Sequence, residues 1–294
     1  MKIVQSCWSK PGYSKDDNNR CGWLHKKYNY FSWALSALQF RKFYDELELV
    51  TDKLGYDLLI NKLELPYTRT RVVLDDLAQY HADLFALGKL YAYSIQEQPF
   101  IHADADVFIW RKFPEALENA SLVCQNKEDS ESYSRLYTKA FVEIAAATGY
   151  YPEVLEQSIE RNNRIIAVNA GIMGGSNRHF FEQYTKEAFD FVDRVHTQLH
   201  KINVKDFNTI FEQFLFHALA EDKEAPVCYL RNRLVLFWYD IADFTGVPVR
   251  TEYIHLIGNF KRTKRVLDQL EHRLLLDYPE YYFRIMNLIR TNQI

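Results

Sequence analysis

Apolar positions along the chain recur with two periods, and the two alternate. Lys2–Cys7 reads as a first strand. From Asn29 to Tyr44 the apolar residues Phe31, Leu35, Leu38 and Phe43 recur at helical spacing, which predicts a helix. Leu49–Thr51 predicts a short strand running into Asp52 and Gly55, and Arg71–Leu74 another β-like piece. Asp83–Gln96, with Leu84, Leu87, Leu90 and Tyr91, predicts a second helix, and an apolar run follows it up to Asp104. Strand, helix, strand, helix, strand favours an α/β fold with a mostly parallel sheet covered by helices. In such sheets ligands bind beyond the carboxyl ends of the strands. Thr51-Asp52 and Asp104-Ala105-Asp106 both stand at such ends.

The second half continues in the same manner. Ser121–Cys124 predicts a strand, and Tyr133–Gly149 and Pro152–Arg161 predict helices. Ile165–Ala170 predicts a strand leading into Gly171-Ile172-Met173-Gly174-Gly175, where glycines let backbone approach a ligand or make a strand-to-helix turn. Helices are expected over Arg178–Leu199, Phe207–Ala220 and Lys264–Leu276, with a strand at Val227–Leu230. Tyr278–Ile289 is an aromatic-rich terminal segment; its Tyr278–Phe283 aromatics fit a packed tail, a dimer contact or a membrane-surface contact, of which packing on the body is expected. Pro11–Arg20 is rich in polar and turn residues and reads as a surface loop. No repeat, low-complexity stretch or linker divides the chain.

Composition narrows the function. The chain has 294 residues, 48% of them hydrophobic and 26% charged, with a formal net charge of -3. That near-neutral balance argues against nucleic acid as the main partner. The basic group Lys261, Arg262, Lys264 and Arg265 taken by itself is a solvated helix face. Met1–Ser6 has no apolar signal core, and no apolar run reaches the roughly 18 residues of a membrane span, so the cytoplasm is the default location. The four cysteines form no CxxC pair and read as free thiols. Aromatic residues, at 15%, are numerous enough to fill a core or to line a cleft that stacks a base or sugar ring. His196 and His200 lie four apart without an intervening Glu, a surface pair and not a metallohydrolase signature.

Four constellations carry candidate chemistry. In an extended chain Asp104 and Asp106 point to one side and reach one point in space. Like charges so close call for a cation between them, and a hard divalent ion such as Mn²⁺ or Mg²⁺ suits oxygen ligands. Tyr253–Lys261 contains a short apolar strand carrying His255, then Gly258 and Lys261; imidazole would complete a site begun by two carboxylates, and Lys261 would meet a phosphate. Alone, this segment is more commonly a core histidine near a turn. Asn169, before the glycines, offers a donor and an acceptor for sugar hydroxyls. Glu212-Gln213 interrupts an otherwise apolar helix, so the pair faces either a cleft or the wet side.

Taken together and in order, His102-Ala-Asp104-Ala-Asp106, Asn169-Ala-Gly171, Glu212-Gln213 and His255-Leu-Ile-Gly258-Asn-Phe-Lys261 resemble the motifs of glycosyltransferase family 8, within the GT-A superfamily of nucleotide-diphospho-sugar transferases. The chain departs from that family in having Arg262-Thr263 where Pro-Trp is usual and in lacking a second Asp beside Glu212, which fits a distant bacterial branch. The resemblance implies a GT-A-like mixed sheet flanked by helices, with a catalytic domain over 1–262 and a helical C-terminal extension over 263–294. It implies a hexosyltransferase that uses Mn²⁺ or Mg²⁺ and a nucleotide-diphosphate donor, a UDP-sugar first. The acceptor would be a glycan, lipid-linked or protein hydroxyl, and the anomeric configuration would be retained. Asp104, Asp106 and His255 would hold the metal, with Asp104 also near the ribose. Gly258 and Lys261 would hold the diphosphate, and Asn169, Glu212 and Gln213 would face the donor sugar and acceptor. Lys89 would add a charge near the donor, Thr51 and Asp52 would contact the base, and Trp8 would stack near it. A GT-A-like protein that binds a nucleotide sugar without turnover, and a metal-dependent nucleotidyltransferase, share these features and remain open.

Overall fold

A computed structural model describes residues 1–11, 21–231 and 241–294. Most of the expected surface loop, residues 12–20, lies outside the described residues. Nine strands occur among them: β1 (Lys2–Cys7), β2 (Leu47–Thr51), β3 (Arg69–Val72), β4 (Phe100–Ala103), β5 (Val107–Ile109), β6 (Leu122–Glu128), β7 (Ala167–Gly175), β8 (Val227–Tyr229) and β9 (Tyr253–His255). The fold is α/β, with a mixed seven-stranded sheet, flanking helices and a helical C terminus. The chain divides into two compact units: Met1–Ala78, Ala103–Lys112 and Val235–Ile294 form the first, Gln79–His102 and Phe113–Leu234 the second. No described helix is long and apolar enough to cross a membrane.

In the first unit β1 pairs with β2, and β2 with β3, all parallel; Cys7 lies opposite Thr51 and Thr51 opposite Val72. Trp8 and Asp52 therefore follow side by side at the carboxyl edge. Helix α1 (Lys26–Phe43) starts three residues before the expected boundary because the His25 imidazole caps it, accepting from the Lys27 N–H. It is buried continuously from Tyr30 to Phe40, so its apolar residues are not confined to one face. The C-terminal helices Lys264–Asp277 and Pro279–Arg290 pack on it: Tyr282 stacks on Phe31 at 5.4 Å, and Lys27 pairs with Glu271 at 2.8 Å. β5 and β9 form a separate antiparallel ribbon.

In the second unit β7 pairs antiparallel with β6, and β8 parallel with β6. Two expectations are corrected here. The glycines after Ala170 make no turn, because β7 runs unbroken to Gly175. A Cβ on Gly174 would stand 2.1 Å from the Phe100 carbonyl oxygen, so that glycine serves close strand packing and not approach of a ligand. The helix expected over Asp83–Gln96 is only Leu87–Ser94. Its approach is tied instead to the Asn208 side chain, which accepts from the Ala86 N–H and donates to the Asp83 carbonyl. Much of the aromatic content fills this unit's core. Tyr93, Phe100, Phe180, Phe181, Tyr184 and Phe216 are all buried, with neighbouring ring centroids 5.0–6.4 Å apart.

Candidate metal centre and a buried polar network

After β4 the chain does not stay extended, as the spacing of the two carboxylates suggested. The Val107 N–H donates to the Asp104 carbonyl at 3.0 Å, closing a turn, and the turn aims both carboxylates. β5 then pairs with β9, setting Val107 opposite His255, and the Leu256 N–H donates to the Asp106 carbonyl at 3.0 Å. This ribbon brings the imidazole to the carboxylates. Ligand atoms of Asp104, Asp106 and His255 all lie within 4.8 Å of one another. Donors each 2.0–2.6 Å from one ion are at most about 4–5 Å apart, so the three fit a single divalent cation. Two carboxylates and one imidazole suit Mn²⁺ or Mg²⁺ better than a soft ion.

Two basic side chains already face the Asp106 carboxylate. Asp106 and His255 are buried, with His255 Nε2 3.5 Å from Asp106 Oδ1. Lys261 Nζ lies 2.6 Å from Asp106 Oδ2. Burial pushes the Asp106 carboxyl up, but Lys261 and then His255 hold it well below the usual carboxylate range. Burial pulls the Lys261 ammonium down, and the carboxylates of Asp106 and Asp104 outweigh it, leaving Lys261 above its usual value. Lys261 sits in a short 3₁₀ turn, Gly258–Arg262, directly after β9. Gly258 opens that turn at φ +52°, a left-handed conformation that favours glycine.

Sequence reasoning missed Trp23. It is buried, and Lys261 Nζ lies 5.5 Å from its ring centroid, a cation–π distance. The Leu24 N–H donates to the Lys261 carbonyl and the Arg262 guanidinium to the Gly22 carbonyl, so residues 22–24 clasp the turn. No local pattern in Cys21-Gly22-Trp23 announces this contact.

At the carboxyl edge of β1 and β2, Asp52 is engaged by the chain itself. Its Oδ2 accepts from the Ser9 N–H at 2.7 Å and hydroxyl at 2.6 Å, and its Oδ1 from the Gly55 N–H at 2.8 Å. The Thr51 hydroxyl donates to the Cys7 carbonyl at 2.8 Å, and Trp8 is buried.

The second unit holds a polar network of its own. Residues 204–222 are not one regular helix: Thr209–Phe214 forms a π-turn between α-helical stretches, and it carries Glu212 and Gln213. Such widened turns often occur at functional sites. Glu212 is buried, and its Oε1 lies 2.7 Å from Lys89 Nζ, which also donates to the Ala170 carbonyl at 3.3 Å. Asn169 accepts from the Gly171 N–H and donates to Glu128 Oε1, each at 3.0 Å. The Tyr137 hydroxyl bridges Glu128 and the Gln213 side chain. Glu128 and Tyr137 were not foreseen. The strand expected over Ser121–Cys124 runs on to Glu128, where pairing with Ala167–Asn169 carries the polar run Gln125-Asn126-Lys127-Glu128 and buries Glu128.

Residues 1–288 match a family of unknown function (DUF6734). No curated protein matches the chain. Among solved structures, the apo form of mouse xyloside xylosyltransferase 1 is similar at 12% identity and a TM-score of 0.42, covering 87% of this chain and 96% of that one.

Proposed function

We propose that this chain, which belongs to the family of unknown function DUF6734, is a metal-dependent glycosyltransferase. It moves a sugar from a nucleotide-diphosphate donor, a UDP-sugar first, to an acceptor hydroxyl. The observation that carries the proposal is the convergence of Asp104, Asp106 and His255 next to Lys261. A divalent ion held by these three supplies positive charge against the departing diphosphate. Lys261 offers a second, fixed positive charge to the same group. Gly258 leaves room for it, since among the described residues nothing lies within 4 Å of where a Cβ would stand. Trp8, Thr51 and Asp52 are proposed to form the base side, with Thr51 and Asp52 acting by holding the backbone of that edge, since their polar atoms are taken by Cys7, Ser9 and Gly55.

In the second unit Lys89, Asn169, Glu212 and Gln213 are proposed to serve the donor sugar and the acceptor. The Lys89–Glu212 ion pair and the anchoring of Asn169 and Gln213 through Glu128 and Tyr137 support this, because side chains so held present fixed donors and acceptors. Retention of configuration, with Glu212 or Gln213 beside the reacting carbon, is part of the proposal. The coupling of the anomeric proton in the product tests it.

The primary experiment incubates the full chain with a panel of UDP-sugars and Mn²⁺. Release of UDP, lost in Asp106→Ala, is expected. Release of pyrophosphate instead identifies a nucleotidyltransferase, and saturable donor binding without turnover identifies a binding protein. Neither binding nor turnover with any nucleotide sugar refutes the proposal.

A further inference from the structure

Helix α1 carries a buried polar stripe that its apolar periodicity conceals: Ser32, Ser36 and Gln39 lie along one side, and both serines are fully buried. A buried helical serine ordinarily returns its hydroxyl to the carbonyl four residues back in its own helix. Neither of these does so. Ser32 Oγ donates to the Ala105 carbonyl at 2.7 Å, and Ser36 Oγ donates to the Val107 carbonyl at 2.7 Å. With the Leu256 N–H on the Asp106 carbonyl, three consecutive carbonyls around Asp106 are each held by a separate donor.

The direction of the second of these bonds is itself determined. Gln5 Nε2 donates to Ser36 Oγ at 2.8 Å. Because the Val107 carbonyl can only accept, Ser36 spends its proton there and must accept from the Gln5 amide nitrogen, which leaves Gln5 Oε1 to accept from the Tyr67 hydroxyl at 2.8 Å. The chain Tyr67, Gln5, Ser36, Val107 runs from the strand layer through the helix to the turn. Its members cost free energy if unpaired, since a buried hydroxyl or amide without a partner loses about 1–3 kcal/mol.

We propose that Ser32 and Ser36, with Gln5 orienting Ser36, are positioning residues that hold the Asp104–Val107 turn in its metal-binding geometry. The proposal rests on Asp104, Asp106 and His255 being a metal site. The backbone of the turn has no regular structure of its own between β4 and β5, and the angle at which Asp106 leaves it decides whether its carboxylate meets His255. Metal sites lose affinity when the groups behind their ligands are removed, typically by 10–100-fold.

The test titrates Mn²⁺ into the full chain and follows free Mn²⁺ by electron paramagnetic resonance, alongside melting temperature without metal. Ser32→Ala and Ser36→Ala should each weaken Mn²⁺ binding severalfold, and the double variant about tenfold or more. If the double variant does not melt cooperatively, the two single variants carry the test. Gln5→Leu should weaken binding less than Ser36→Ala, because it removes only the group that orients the hydroxyl. Unchanged Mn²⁺ affinity in variants whose melting temperature falls would overturn the proposal, leaving the serines a purely structural role. Asp106→Ala serves as the reference. If it binds Mn²⁺ as the unmodified chain does, the metal site itself is refuted, an outcome distinct from failure of the serine variants.

Discussion

Lys261 and Asp106 are in direct contact, Nζ to Oδ2 at 2.6 Å, so the carboxylate that would bind a metal already has a cation on one oxygen. The ammonium and a divalent ion compete for that oxygen. A diphosphate offers Lys261 another partner, so nucleotide and metal should favour each other's binding, and the coupling must be reciprocal. Lys261→Met should therefore bind Mn²⁺ more tightly than the unmodified chain when no nucleotide is present, and gain less from added UDP. Without metal the variant should be less stable, by about 3 kcal/mol, the low end for breaking a buried ion pair because Asp106 keeps only His255 beside it. Mn²⁺ titrations with and without UDP, and melting curves of both proteins, check this; weaker Mn²⁺ binding in the variant is the contrary result.

Glu128 should matter to turnover without mattering to the metal. Its carboxylate accepts from both Asn169 and Tyr137. In Glu128→Ala both acceptor oxygens are gone, so the bonds to Asn169 and Tyr137 are lost together, at about 1–3 kcal/mol of stability for each buried donor left unpaired. Under the proposed role of Asn169, kcat on a UDP-sugar should fall at least tenfold with Mn²⁺ affinity unchanged. Steady-state kinetics beside a Mn²⁺ titration separates the two.

Two glycines should differ sharply on substitution. Gly174→Ala places a Cβ 2.1 Å from the Phe100 carbonyl oxygen and 2.8 Å from the Ile101 Cα, both backbone atoms that can move only by parting two strands. A loss above about 3 kcal/mol, or failure to fold, is expected. Gly258→Ala meets open space and costs only the left-handed backbone, about 1–2 kcal/mol. Denaturant unfolding of both variants measures the difference.

Glu221 gives the acid limb of stability a defined source. Burial pushes its carboxyl up, but the His217 imidazole 3.5 Å away and hydrogen bonds from Ser158 and Asn162 lower it from 4.5 to about 2. A carboxyl lowered on folding stabilises the native state above its unfolded value. That contribution is lost as pH falls from about 4.5 towards about 2. Glu221→Gln should thus be less stable than the unmodified chain at pH 6, and the gap should shrink by pH 3. Melting temperatures across that range report it, and a gap independent of pH counts against it.

Much of the architecture was legible in the chain because helix and strand periods are local. β1 begins and ends where its residue pattern does, and the helices at Lys264–Asp277 and Arg178–Val195 follow their apolar spacing. Misreadings fall where burial contradicts residue type. The polar half of β6 is a strand because β7 covers it, and the glycines of β7 are strand because Phe100 and Ser121 press on them. Ser32 and Ser36 passed unnoticed because an apolar helix with small hydroxyls keeps its helical period whether or not those hydroxyls reach outward.

The amino-acid sequence by itself determined the alternation of elements and the chemical inventory of the site: two carboxylates one residue apart, an imidazole, a glycine and a lysine at set intervals. These follow from neighbours along the backbone, where torsional preference and periodicity act. The tertiary structure alone decided that Asp106 faces His255 and Lys261, that a turn and not an extended strand aims the carboxylates, and that Trp23 and the α1 serines stand behind them. Those contacts depend on β5 meeting β9, and pairing between strands so distant in the chain is selected by burial and hydrogen bonding across the whole fold, which no local pattern records.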